Sequence, residues 1–237
     1  MIVLNKKRII FIISVFMVSM MFVATDRVNL EYLQSIETSS VPVTNHTIIC
    51  DAGHGEPDGG AVSNGISEQE INLNIVLKLQ ELLEQSGSTV ILTRSDENGI
   101  YDAGKSSMKN KKVSDLKNRV DLANNEEADI FVSVHLNKID IESVHGWQTF
   151  YQKNNENSKI LAEEIQKNLN YSIQKENKRV ILPLSGKYIM DNIKIPTVTV
   201  ECGFLSNMAE ATDLQKDDYQ NKIAWGIYMG IMDYFYN

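Results

Sequence analysis

The sequence predicts an α/β domain built on a sheet that helices cover on both faces. From residue 46 onward, apolar β-branched runs alternate with amphipathic segments, which is the pattern of an α/β fold. The strand-like runs are nearly continuous in Val and Ile, as in strands that are buried on both faces. Three of them end in residues that can carry chemistry, and the functional groups of such sheets gather at strand ends.

The N-terminal part of the chain differs from this domain in composition. A Lys-Lys-Arg cluster at positions 6–8 precedes an uncharged apolar run over residues 9–24, which is typical of an export signal. The length of the run fits either a cleaved signal peptide or an uncleaved membrane anchor over residues 1–25, and the cluster predicts that the domain faces outward. Residues 26–45 are polar toward their end and indicate a linker, which leaves residues 46–237 as a single domain.

The first half of the domain begins with a strand over residues 46–50 that runs into a glycine-rich loop. Residues 68–85 are expected to form a helix that ends before Gly87, because their apolar side chains recur at helical spacing. The side chains that define this face are Ile71, Ile75, Leu79 and Leu82. Residues 88–93 (STVILT) are predicted to form the next strand.

The middle of the domain contains a polar excursion over residues 95–113, a kind of loop that often borders a site. We expect a helix over residues 114–125, with Ser114 as its capping residue. It leads into a nearly continuous apolar strand over residues 128–136, close to whose end stands His135.

The last third contains two further strands and two further helices. Residues 146–151 alternate as an edge or hairpin strand would, and residues 197–201 (TVTVE) form a strand that ends in an acid. Residues 158–173 are expected to be helical. Residues 217–235 carry an apolar face at four-residue spacing and predict a helix packed on the sheet. That face consists of Ile223, Ile227 and Ile231.

Charge and cysteine content restrict the possible functions. The formal net charge of −8 argues against a general affinity for nucleic acid. Cys50 and Cys202 both end apolar runs, so they could lie on neighbouring strands and form a disulfide. Two buried thiols without a bond are the favoured expectation, because buried free cysteine is common.

The glycine-rich stretch 48–62 (IICDAGHGEPDGGAV) could in principle cradle a phosphate. It is not a dinucleotide fingerprint, because Asp58 stands where the third glycine would be, and it lacks the Gly-Lys-Ser/Thr of a P-loop. A metal site fits better. His54, His135 and one acid near the first helix are the donors that a catalytic zinc uses, and glycines let the backbone pass close to an ion.

Two acids compete for the third ligand position. Glu68 and Glu70 are two residues apart on a helix and point about 200° away from each other, so only one can face the ion. Glu68 lies nearer the loop.

Glu201 would act as a general base that accepts a proton from metal-activated water, or else pair with Arg94 or Arg119. His46 and His145 are interpreted as surface and turn residues.

Four motifs made of these residues resemble a known family. The zinc-dependent N-acetylmuramoyl-L-alanine amidases of the amidase-3 type carry similar motifs in the same order, and the resemblance spans roughly residues 46 to 236. The motifs are residues 51–62 (DAGHGEPDGGAV), 65–73 (GISEQEINL), 128–137 (ADIFVSVHLN) and 200–207 (VECGFLSN).

The resemblance implies a fold, a reaction and a set of roles. The fold is a mixed, mostly parallel twisted sheet of about six strands with helices on both faces. The reaction is hydrolysis of the amide between N-acetylmuramic acid and the L-alanine of the peptidoglycan stem peptide. Carried over motif by motif, His54, Glu68 and His135 would bind Zn²⁺, and Glu201 would be the general base.

Two residues depart from the family's motifs, and other features indicate which subfamily the chain resembles. Gln69 stands where a lysine usually follows the glutamate, and Leu136 replaces the alanine of the His-Ala-Asn motif. The long autoinhibitory helical insertion of some division amidases is absent. The chain looks most like spore-cortex amidases, which remove stem peptides so that muramic-δ-lactam can form for germination. An exported domain without a wall-binding module also suggests an activating or positioning protein on the wall side.

Overall fold

The computed structural model describes residues 45–63 and 65–236. The predicted export segment at residues 1–25 and nearly all of the predicted linker lie outside the described residues. Within the described ranges, no helix is both long enough and apolar enough to cross a membrane.

Eight strands are present in the described residues, and six of them form one sheet. Its strands are β1 (Thr47–Ala52), β4 (Thr89–Leu92), β5 (Ile130–Asn137), β6 (Gln148–Gln152), β7 (Leu182–Leu184) and β8 (Thr197–Phe204), in the spatial order β4-β1-β5-β8-β6-β7. Neighbouring strands are parallel except β6 and β8, which are antiparallel. The short strands β2 (Val62–Ser63) and β3 (Ile66–Ser67) form a separate hairpin. The predicted mixed, mostly parallel six-stranded sheet is confirmed.

Helices flank the sheet on both faces, and the hydrophobic core on one face is much larger than the core on the other. They are α1 (Glu68–Gln85), α2 (Met108–Asn125), α3 (Glu156–Ile173), α4 (Tyr188–Asn192), α5 (Met208–Leu214) and α6 (Asp217–Tyr236). Alternate strand residues such as Ile48, Val132 and Val200 are buried in the large core with α1, α3 and α6. The residues between them, such as Phe131, belong to a small cluster with α2 and α4. Each fully buried aliphatic side chain stabilises the fold by about 1.5–3 kcal/mol, so the large core supplies most of the hydrophobic stabilisation.

The start of helix α2 differs from the prediction. The helix begins at Met108, and the Ser107 side chain caps it by accepting the N–H of Asn110 at 3.2 Å. Ser114 lies inside the helix, is buried, and accepts the N–H of Asp102 at 3.0 Å. The expectation that Ser114 caps the helix is therefore wrong. Ser107 and Ser114 are both residues that favour a helix N-cap, and the polar residues between them, which were expected to be a loop, form the first turns of the helix.

The placement of two strands also differs from the prediction. Strand β6 lies inside the sheet, between β8 and β7, so the expected edge or hairpin strand is wrong. The edge on this side of the sheet is β7, a three-residue Leu-Pro-Leu segment that sequence reasoning did not find. Proline suits an edge strand, because its missing N–H removes no ladder bond there.

Both cysteines are buried and free, as expected. They do not lie on neighbouring strands, because β5 separates β1 from β8. Burial raises the pKa of both thiols, which keeps them protonated and unreactive.

Candidate active site

One row of residues crosses the carboxyl end of the sheet. His135 on β5 is paired with Glu201 on β8, and Glu201 is paired with Gln148 on β6. On the other side, Gly53 donates its N–H to the carbonyl of Val134 at 3.0 Å and continues the row. Because paired residues on neighbouring strands point to the same face, the row places His135 beside Glu201 on the face opposite the large core.

Three potential metal ligands converge at this row. One ligand atom from each of His54, Glu68 and His135 lies within 4.8 Å of the others. His54 comes from the loop after β1, Glu68 is the first residue of α1, and His135 comes from β5. The Glu68 side chain is 4% exposed, whereas those of His54 and His135 are 19% and 21% exposed. The structure thus brings together three residues that are far apart in the sequence, and it leaves Glu70 exposed to solvent.

Glu68 is held in place by backbone donors from two segments. Its Oε1 accepts the N–H of Leu136 at 3.0 Å, and its Oε2 accepts the N–H of Ala61 at 2.7 Å. Burial alone would raise the pKa of Glu68, but hydrogen bonds with His135 and His54 outweigh it and hold the pKa well below its usual range. The carboxylate is therefore ionised and fixed before any ion binds.

Two glycines make room for the ligands. A Cβ at Gly53 would lie 2.3 Å from the ring of His135, and a Cβ at Gly60 would lie 2.5 Å from the Glu68 carboxylate. His54 itself has a φ of 64°, which is unfavourable for a residue with a side chain. The glycines of the loop therefore allow close approach of backbone and ligands, as the sequence predicts.

Asp58 contacts His54 from the same loop. The Nδ1 of His54 lies 3.1 Å from the Oδ2 of Asp58, and its Nε2 lies 3.3 Å from the Oε1 of Glu68. Burial alone would lower the pKa of His54, but the bonds to Asp58 and Glu68 raise it to about 9. Sequence reasoning missed Asp58, although an acid four residues after a candidate ligand was available as a signal. A metal-binding histidine is commonly oriented by a carboxylate on its other nitrogen.

Glu201 has one carboxylate oxygen with no protein partner. Its Oε2 is buried and makes no hydrogen bond to any described residue. Burial raises the pKa of Glu201, and the nearby His135 only partly offsets this. The expected alternative, an ion pair with Arg94 or Arg119, is wrong, because both arginines bind elsewhere. An unpaired buried carboxylate beside three metal-type ligands is suited to proton transfer.

Comparison with known proteins identifies the family of this site. Residues 48–233 match the Amidase_3 family, described as N-acetylmuramoyl-L-alanine amidase. The chain belongs to this family. The amidase is 36% identical, over 83% of this chain and 82% of the relative, to the germination-specific N-acetylmuramoyl-L-alanine amidase of Bacillus subtilis. It thus acts on peptidoglycan, which lies outside the cytoplasmic membrane.

Solved structures agree with this assignment. The amidase resembles the CwlD amidase from Clostridioides difficile in complex with the GerS lipoprotein, with 44% identity and a TM-score of 0.79 over 81% of this chain and 99% of that chain. It also resembles the catalytic domain of CwlV from Bacillus (Paenibacillus) polymyxa, with 32% identity and a TM-score of 0.68 over 80% of this chain and 98% of that chain.

Two buried arginines fix the loop of the amidase that carries His54. Arg119 on α2 binds the Asp51 carboxylate and donates to the carbonyl of Ala52 at 2.9 Å. Arg94 donates to the carbonyls of Gly53 at 3.1 Å and Gln69 at 2.7 Å. Burial would raise the pKa of Asp51, but Arg119 and Ser133 lower it. Sequence reasoning gave these arginines no such role, because charged residues far apart in sequence carry no local signal of pairing.

The remaining histidines of the amidase lie away from the three ligands. His46 stacks on the ring of Phe235 with centroids 3.8 Å apart and lies 3.3 Å from the Asp129 carboxylate. His145 is exposed beside Gly146. Neither belongs to the ligand cluster.

Proposed function

We propose that the amidase is zinc-dependent, with His54, Glu68 and His135 as metal ligands and Glu201 as general base. The observation that carries this is the convergence of three ligand atoms within 4.8 Å beside a buried carboxylate oxygen that has no hydrogen-bond partner in the described part of the chain. Two imidazoles and one carboxylate form a ligand set that catalytic zinc uses, with a further position left for water or substrate.

The residues present fit a zinc ion. Glu68 is ionised and braced, and Asp58 orients the ring of His54, which is the outer support that such ligands need. Zinc bound there would polarise the amide carbonyl and lower the pKa of water. Both histidines are partly exposed, so the site is open to a polymer substrate.

Glu201 would carry the proton through the reaction. Its Oε2 accepts the proton of the attacking water and then delivers it to the nitrogen of L-alanine as the amide bond breaks. Burial raises the pKa of Glu201 toward the operating pH, which makes the carboxylate a stronger base for the water proton and still allows the carboxyl group to release it to the amine. The products are a peptide-free muramic acid and a stem peptide with a new amino group.

We further propose that the amidase removes stem peptides in the spore cortex, so that muramic-δ-lactam can form for germination. The germination-specific relative supports this role. Residues 1–25 would export the domain or anchor it in the membrane, at the forespore, with residues 26–45 as the linker. Because a solved relative is complexed with a lipoprotein, an extracytoplasmic protein that activates or positions this amidase is also proposed.

The test is a digest of purified peptidoglycan by residues 26–237 with zinc, analysed by mass spectrometry. We expect free stem peptides and peptide-free muramic acid, both abolished by a chelator. The Glu201→Gln variant should bind zinc like the wild type and lose at least about 100-fold in turnover, since general acid–base catalysis contributes about 10²–10⁴-fold. Wild-type-like turnover by this variant would remove Glu201 from the mechanism, and chelator-resistant cleavage would remove the metal.

A further inference from the structure

The row across the sheet gives the substrate a direction. Glu201 lies between His135 on one side and Gln148 on the other. In the proposed reaction Glu201 passes a proton to the leaving amine, so the stem peptide departs from the Glu201 side, away from the three ligands. Strand β6 and the segment before β7 border that side.

A fixed cation, Arg179, lies one side chain beyond Glu201 on this side. Gln148 is the ladder partner of Glu201, and such partners have Cα atoms about 4.5–5.5 Å apart. The Gln148 side chain is buried, and its Oε1 accepts a hydrogen bond from Nη1 of Arg179 at 3.0 Å. The guanidinium is therefore one side chain away from the candidate base.

Arg179 is oriented by three contacts that engage its Nε, its Nη1 and the plane of its guanidinium. Its Nε donates to the carbonyl of His145 at 2.8 Å, its Nη1 binds Gln148, and the group lies 4.5 Å from the centroid of the Phe204 ring. Its Nη2 donates to no residue in the described part of the chain, and the side chain is partly exposed. Little conformational entropy is lost when a preorganised guanidinium binds a carboxylate.

The electrostatics of the site call for such a group. The charge of Glu68 would be offset by the zinc ion that it binds, whereas Glu201 borders the leaving-group side and is ionised when it acts as a base. A stem peptide carries carboxylates of its own, which an ionised Glu201 repels. A cation fixed beside the leaving-group side offsets that repulsion at one position.

We propose that Arg179 binds a carboxylate of the stem peptide through its Nη2 and so makes the amidase select peptides that carry a free acid there. The proposal rests on the proposed role of Glu201, which sets the direction of the leaving group. Arg179 is thus a specificity-determining residue.

The experiment compares substrates whose carboxylates are free with substrates whose carboxylates are converted to neutral amides. Solubilised peptidoglycan fragments are used either untreated or after carbodiimide coupling of their carboxylates to methylamine, and kcat and KM are measured for each. The wild type should have a KM about tenfold higher for the amidated fragments, as expected for one lost charged hydrogen bond. Arg179→Gln should raise KM about as much for untreated fragments and show no preference between the two.

Two further variants separate binding from structural support. Arg179→Lys keeps the charge and should retain part of the preference for untreated fragments. Lys178→Gln is the matched control, because Lys178 is 87% exposed and pairs with the similarly solvent-facing Glu176, and it should behave like the wild type. Loss of zinc or base chemistry would slow both substrates alike and leave their ratio unchanged. An unchanged ratio in Arg179→Gln, or a wild type without preference, would overturn the proposal.

Discussion

At the scale of single residues, the site is organised by carboxylates that are each held differently. Glu68 is ionised by its contacts with two histidines and two backbone N–H groups, whereas Glu201 is buried with one oxygen unpaired. Asp58 is ionised mainly through its bond to His54, with Lys112 at 2.9 Å as a further partner. These environments divide ligand, base and orienting roles among chemically similar side chains.

The raised pKa of His54 predicts how zinc binding depends on pH. In the zinc-free protein this pKa is about 9, so zinc must displace a proton below that pH. Zinc affinity should therefore rise by up to tenfold per pH unit from pH 7 toward 9 and level off above it. Competition against a zinc-buffering chelator measures this, and a flat profile between pH 7 and 9 would contradict it.

A matched variant and a stability measurement both test whether the acidic partners of His54 raise its pKa. Asp58→Asn removes a charged partner of His54 and should move the levelling point to lower pH. In the folded, zinc-free protein the pKa of His54 lies above its unfolded value of about 6.5. Its contribution to the free energy of unfolding is thus fully present below pH 6.5 and is lost as pH rises through about 9.

At the scale of elements, helix α2 connects a surface loop to the site. Its N-terminus is capped by Ser107, and its buried Arg119 holds the loop that carries His54. The cap and the site are thus properties of one helix, although they are twelve residues apart.

Replacing the cap tests where this helix begins. Ser107→Ala should lower the free energy of unfolding by about 1 kcal/mol, because the N–H of Asn110 loses its acceptor. Ser106→Ala is the control, since the neighbouring side chain is exposed and caps nothing, and urea denaturation compares the two. Equal effects of the two substitutions would contradict the assignment of Ser107.

At the scale of the whole molecule, one face of the sheet stabilises the fold and the other face carries the site. The large core with α1, α3 and α6 stabilises the fold, and the opposite face carries the polar row that contains His135 and Glu201. Alternation along a strand makes this possible, because neighbouring residues point to opposite faces. The site therefore draws its rigidity from a core that it does not interrupt.

Zinc should stabilise the whole domain through this site. An ion that binds only the native state at 1,000 times its Kd adds about 4 kcal/mol, which corresponds to roughly 10 °C in Tm for a domain of this size. Scanning calorimetry with zinc and with chelator measures the difference. Glu68→Gln should melt lower in both conditions and lose most of the zinc-dependent shift, and an undiminished shift in this variant would exclude Glu68 as a ligand.

The sequence alone determined the elements and the chemical types at the site. The apolar runs of β1, β5 and β8 and the helical spacing of α1 are local patterns, so a period of 2 or 3.6 residues reveals them. The position of Glu68 at a helix start and of His135 and Glu201 near strand ends was readable in the same way. Ser107 was not, because capping signals recur in neighbouring residues and the choice depends on the first turn that packs.

Only the tertiary structure decided which distant groups meet. The sheet order separates Cys50 from Cys202 and places β6 beside β8, so Gln148 and Arg179 come next to Glu201. The pairing of Arg119 with Asp51 rather than with Glu201 follows from the same order. The physical reason is that local periodicity is set by backbone geometry within a few residues, whereas strand order and loop dihedral angles depend on packing the whole chain.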